Sequence, residues 1–99
     1  MSVQTITIKT KVWLHPGHAG WHFITVPKKE SAQIREVSQG IKRGWGSVRV
    51  EVKLGKTTWN TSIFPDTKFG TYLLPLKASV RATEEIGEDD VVSITLKLL

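Results

Sequence analysis

Apolar and polar side chains alternate along the first stretch of the chain: Ile6, Ile8, Val12 and Leu14 fall on one face, and Thr5, Thr7, Lys9 and Lys11 on the other. A period of two marks a strand with one buried face, so the spacing predicts a strand over residues 3–14. His15-Pro16-Gly17-His18-Ala19-Gly20 follows as a turn, because Pro-Gly is strong punctuation. Trp21 to Val26 then reads as the return strand of a hairpin. After Pro27 the period lengthens. Ile34, Val37 and Ile41 stand at helical spacing while Lys29, Glu30, Gln33 and Glu36 stay polar, which predicts a helix over 28–39 stopped by Gly40.

Strict alternation returns at Ser47 to Leu54, with Val48, Val50, Val52 and Leu54 inward and Arg49, Glu51 and Lys53 outward. Gly55-Lys56 suits a two-residue hairpin turn whose first position needs positive φ. Pairing Leu54 with Thr57 then sets Val52 opposite Trp59, Val50 opposite Thr61 and Val48 opposite Ile63, which keeps the apolar set on one face. This strand is expected to end at Pro65-Asp66. A strand over 70–74, a short helix over 76–84 and a closing strand over 91–98 complete the reading, the last from the alternation of Val92, Ile94, Leu96 and Leu98.

The plan strand, strand, helix, strand thus occurs twice. Ile24, Val26, Pro27, Lys28, Ile34, Arg35, Val37 and Gly40 have their echo in Tyr72, Leu74, Pro75, Lys77, Val80, Arg81, Ile86 and Gly87. Self-similarity of this kind means one supersecondary unit used twice around a single core. Two helices are too few crossovers for a doubly wound sheet. A small closed barrel buries one face of every strand and removes the edges, so the expected fold is a mainly β, six-stranded barrel with two short helices covering its ends and a pseudo-two-fold β-β-α-β repeat.

Composition narrows the class. At 99 residues one domain is expected, spanning 1–99. The chain has no cysteine, which excludes disulfides and thiolate chemistry and fits a reducing, cytoplasmic setting. No signal-peptide plan opens the chain and no apolar run is long enough for a membrane span, so no membrane partner is expected. Because both halves of the core lie in one chain, a monomer is expected. Net charge is +5, but Glu84, Glu85, Glu88, Asp89 and Asp90 crowd five of the nine acids into seven residues. The rest of the chain sets fourteen bases against four acids, a net of +10, which favours anionic partners.

Candidate chemistry is sparse. His15, His18 and His22 have a spacing that gathers a metal only if further ligands join them, and none lies nearby in sequence, so no metal is assigned. Nothing resembles a nucleophile elbow, a phosphate-cradling glycine loop or a paired-carboxylate site, and Ser62 has no carboxylate-oriented base, so no catalytic residue and no cofactor are assigned. Gly44-Trp45-Gly46 brackets a large ring with flexible backbone, which makes Trp45 either a plug at the barrel end or a platform for a planar or sugar-like ligand. Trp59 is read as core from its register, and Trp13 as a ring flanked by lysines. Lys77 and Arg81, four apart, share a helix face, and Lys28 and Arg35 occupy comparable places in the first unit. With Arg43, Trp45 and Arg49 they outline a basic patch at the barrel mouth suited to an anion. The rival reading pairs Arg81 with Glu84 or Glu85.

The stretches RGWGSVRVEVKLGKTTWNTSIFPD (43–66) and GTYLLPLKASVR (70–81), with GWHFITVP upstream and Ile86-Gly87-Glu88-Asp89-Asp90-Val91 downstream, resemble the bacterial domain-of-unknown-function family numbered nineteen hundred and five. That resemblance implies a double-split β-barrel, and related domains occur beside bacteriocin-protection modules; it implies no established activity. Glu88-Asp89-Asp90 departs from the family's simpler Gly-Asp turn. Residues 73–96 also resemble, more weakly, the swapped hairpin of AbrB and MazE-type DNA-binding proteins. Together these readings predict a non-catalytic binding or accessory barrel for an anionic small molecule, with nucleic-acid binding as the alternative and an enzyme as the least supported class.

Overall fold

The computed structural model describes residues 5–17, 20–38 and 46–99. Its elements are β1 (Thr5–Leu14), β2 (His22–Val26), α1 (Lys28–Val37), β3 (Val48–Leu54), β4 (Thr57–Asp66), β5 (Thr71–Leu76), α2 (Ala78–Glu84) and β6 (Val91–Leu98). The strands close into an antiparallel barrel in the ring order β1-β2-β5-β4-β3-β6. Exchanging β1 with β4, β2 with β5 and β3 with β6 leaves this ring unchanged. The ββαβ order therefore maps onto a two-fold arrangement in which β2 pairs with its counterpart β5, and β3 with β6. Among the described residues, no helix is long and apolar enough to cross a membrane.

The long strands change partner partway, which is the double split. β1 pairs with β6 over Thr5–Lys11 and with β2 only at Val12–Leu14. β4 pairs with β3 over Thr57–Ile63 and with β5 only at Phe64–Asp66. Proline placement fits this change. Pro75 lies in β5 opposite Phe23 of β2, two residues past the last pair with β4, at a level where its missing N–H deprives no ladder.

The β3–β4 hairpin has the register that the alternation predicts, from Leu54↔Thr57 to Val48↔Ile63, and Gly55 takes the positive φ of 60° that the turn demands. Inward side chains of all six strands build one core, with Val12, Ile24, Val50, Val52, Ile63, Leu74 and Leu96 fully buried.

Two expectations shift, and a third falls outside the described residues. The buried stripe of α1 runs through Ser31 and Ile34, whereas Val37 is 42% exposed; the helix is only ten residues long and its last turn has left the core. Ile41 and the Gly40 stop lie outside the described residues, and Ser38 closes the helix by donating its N–H to Ile34 O (2.9 Å). β5 starts at Thr71 and continues through Pro75 to Leu76, because pairing with β2 persists after pairing with β4 ends.

Candidate functional site

On the N-terminal side of Phe64 in β4, and past Leu73 in β5, the two strands separate, and a cleft of about 340 Å³ opens between them. Trp59 and Thr61 form its β4 wall, Pro75 and Leu76 its β5 wall. Trp21, just before β2, and Phe23 within it add two rings, and Lys77, just before α2, and Arg81 on it add two cations. The cleft is thus apolar and aromatic with two cations, and among the described residues no carboxylate lines it.

Local chemistry holds each part in place. Trp21 is 58% exposed, but its ring lies 6.0 Å from Phe23, which in turn lies 5.2 Å from Trp13. Trp13 is fixed by its Nε1–H, which donates to Thr25 Oγ1 at 2.9 Å. This run of rings braces the cleft's outer lip from the barrel surface. Lys77 is the N-cap residue of α2, and Arg81 follows one turn later. Arg81 donates from Nε to Leu76 O and from Nη2 to Gly20 O, both at 3.2 Å. Five N–H groups sit on a guanidinium, so three donors remain beyond these two.

The anchoring of Arg81 has a counterpart across the barrel. Arg35 on α1 donates from Nη2 to Gly70 O at 2.8 Å. Gly20 and Gly70 both have positive φ, 82° and 70°, and each stands just before the first or second strand of a sheet pairing, β2 and β5. Each helix thus uses its arginine to hold the glycine turn of the other ββαβ unit. Arg81→Ala is expected to cost about 1–2 kcal/mol, the typical worth of hydrogen bonds from a charged donor reduced by partial exposure. Urea unfolding measures it, and an unchanged midpoint would remove Arg81 from this structural role.

Of the residues that sequence reasoning singled out, Lys77 and Arg81 meet in the cleft. Arg49 does not join them; it projects from the outer face of β3 and donates to Ser62 Oγ at 3.2 Å. Arg43 and Trp45 lie outside the described residues. Lys28 opens α1, and Arg35 borders a separate cavity of about 170 Å³ beside Pro65 and Tyr72. Trp59 faces inward as its register requires, yet it is only partly buried, because the split leaves one side of it open to the cleft. Trp21 and Phe23 were not singled out; the signal available was the aromatic pair directly after Gly20.

The acidic knuckle turns out to be construction. Glu84 accepts from Lys56 N (3.1 Å) and Thr57 Oγ1 (2.6 Å), tying the β3–β4 turn to α2 instead of pairing with Arg81. Asp90 Oδ2 accepts from Gly87 N at 2.8 Å, and Asp89 takes a φ of 73°, in the left-handed region that Asp tolerates better than most residues. His15 Nδ1 accepts from Gly17 N, and His22 Nδ1 lies 3.0 Å from Gly20 O, so both rings fasten the β1–β2 turn. His18 lies outside the described residues, and among those described no group of three or more His, Cys, Asp or Glu is placed to hold a metal.

Among curated proteins no sequence matches this chain. The family model described as Domain of unknown function (DUF1905) matches residues 9–96, from β1 to β6, so that the match takes in both ββαβ units and every wall of the cleft. The chain belongs to that family.

Proposed function

We propose that the protein is a non-catalytic binding domain whose cleft takes a small organic anion with a flat apolar body. The observation that carries this reading is the convergence of Lys77 and Arg81 on a cleft walled by Trp21 and Trp59. A volume of about 340 Å³ falls at the lower end of the range for small-molecule sites, which are mostly apolar with a few placed polar groups. Two cations with no carboxylate among the described lining residues select negative charge, and at an effective dielectric near 20 one close pair supplies about 4 kcal/mol before desolvation is subtracted. Indole rings favour a planar partner through offset or edge-on packing.

The probe pair 2-naphthoate and 2-naphthamide separates charge from shape. Titration followed by tryptophan fluorescence and calorimetry should show 2-naphthoate binding about tenfold tighter, the factor that 1.4 kcal/mol provides. Lys77→Ala should reduce that preference severalfold, since Arg81 remains, and Trp59→Leu should weaken both probes. Absence of any signal at millimolar naphthoate, or a Lys77→Ala variant with full preference for the acid, would overturn the assignment.

A further inference from the structure

The strands β1, β6, β3 and β4 pair side by side, and their inner side chains fill the core. Neither helix among the described residues packs chiefly on their outer face: α1 packs on β5, and α2 meets β4 from the cleft side, where Trp59 and Thr61 look toward it. Where these four strands pair with one another, that outer face carries Lys9, Lys11, Lys53, Lys97 and Arg49 against the single acid Glu51, and Asp66 follows only past Phe64 at the far end of β4. A solvated face is ordinary for an antiparallel sheet. Wetting alone does not favour one sign of charge, and here bases outnumber acids five to one. The remaining acids lie on α1, at the end of β4 and in the knuckle after α2.

The register shows what surrounds the cations. One row across the sheet reads Thr7, Thr95, Lys53, Thr58, and the next reads Thr5, Lys97, Glu51, Asn60. Lysines are thus interleaved with short hydroxyl and amide side chains, and Thr7 Oγ1 and Thr95 Oγ1 lie 3.4 Å apart. Lys, Ser, Thr and Asn are the groups that contact phosphate and sugar in nucleic-acid complexes. A lipid surface would require apolar side chains to insert among the charges. Among the described residues the middle of this face has none; exposed Phe64, Val91 and Leu99 stand at its margins, Leu99 beside Arg49. Base stacking would require a free ring in the same place, and Trp13, at the end of β1, is already engaged by Phe23 and Thr25.

We infer that this face is a second binding surface, distinct from the cleft, for the sugar-phosphate backbone of nucleic acid without sequence readout. The knuckle acids lie next to the Lys11 end, where Asp89 N donates to Val12 O and Val12 N to Asp90 O. The polyanion therefore runs over Lys9, Lys53, Lys97 and Arg49, away from the knuckle. Four phosphate contacts predict that log K falls with log salt at a slope of about −3.6 on a duplex and about −2.8 on a single strand.

Fluorescence anisotropy with a labelled 20-base-pair duplex of mixed sequence, and with one of its strands, tests this between 25 and 200 mM salt. Binding at the low end with a slope near those values is expected, and scrambling the sequence should change nothing. Lys9→Glu with Lys53→Glu, at two exposed positions on different strands, should weaken binding at least tenfold and flatten the slope by about 2, one per lost phosphate contact. Arg49→Glu is the second variant should that pair fold poorly. Lys77→Ala with Arg81→Ala should bind as the unaltered chain does, which separates this surface from the cleft. No binding at 25 mM salt, equal binding by the charge-reversed variants, or capture by phosphatidylserine vesicles without capture by either nucleic acid would overturn the inference.

Discussion

Ser31→Ala is expected to destabilise the protein by about 2–4 kcal/mol, although it removes a single oxygen from a helix whose surroundings in sequence are polar. Its side chain is fully buried. The hydroxyl donates to Val26 O at 2.9 Å and accepts from Tyr72 N at 3.0 Å. Val26 and Tyr72 are register partners on β2 and β5, the two strands that meet where the ββαβ units join. The serine oxygen therefore stands in the ladder itself, as a bridge between a carbonyl and an N–H. Alanine would strand both groups away from water, and each orphan costs about 1–3 kcal/mol. Urea denaturation measures the loss. Ser31→Thr keeps the oxygen and adds a methyl to a filled site, so it should fall between the two. A change within about 0.5 kcal/mol for Ser31→Ala, the range of ordinary surface substitutions, would show that Val26 and Tyr72 close directly on each other without the bridge.

Ser31 also marks where the sequence stops being legible. A serine on an amphipathic helix reads as polar surface, and nothing local discloses that Tyr72 N, 41 residues on, will need an acceptor. The β3–β4 hairpin is the opposite case. Its register follows from two neighbouring facts, strict alternation and a glycine at the turn, and both act within the sixteen residues from Val48 to Ile63. The barrel closure was legible because the strand, strand, helix, strand order occurs twice and six half-buried strands need a common core.

The cleft was legible only in part. Lys77 and Arg81 could be placed together because they are close in sequence, although the helix starts at Ala78 and Lys77 is its extended N-cap residue instead of a member of one helix face. Arg49 was drawn to them by charge alone and stands on another face. The register put Trp59 on the inner side but did not reveal how far β4 parts from β5, and that separation decides whether its ring is core or wall. For Arg81 the nearest acids in sequence suggested ion pairs. Its partner Gly20 O is 61 residues away, and Glu84 is occupied by the hairpin turn.

Gly55→Ala is expected to cost about 2–3 kcal/mol, and the cost should depend on Glu84. Two effects combine at this position. The residue has a φ of 60°, where an L side chain is strained by about 1 kcal/mol, the low end of the left-handed penalty. A Cβ there would also collide with the Glu84 carboxylate, which approaches the turn over the bare glycine. A carboxylate at the end of a flexible side chain usually yields cheaply, but this one is held by Thr57 Oγ1 at 2.6 Å and Lys56 N at 3.1 Å. Moving it gives up both bonds and loosens the contact between α2 and the β3–β4 hairpin, the same helix that carries Lys77 and Arg81 into the cleft. In a Glu84→Ala background the collision and the bonds are already gone, so Gly55→Ala should there cost only the backbone strain, about 1 kcal/mol. A double-mutant cycle by urea unfolding isolates the difference, which should be about 1–2 kcal/mol. Equal costs in the two backgrounds would mean that the glycine serves the turn alone and that the carboxylate merely rests above it.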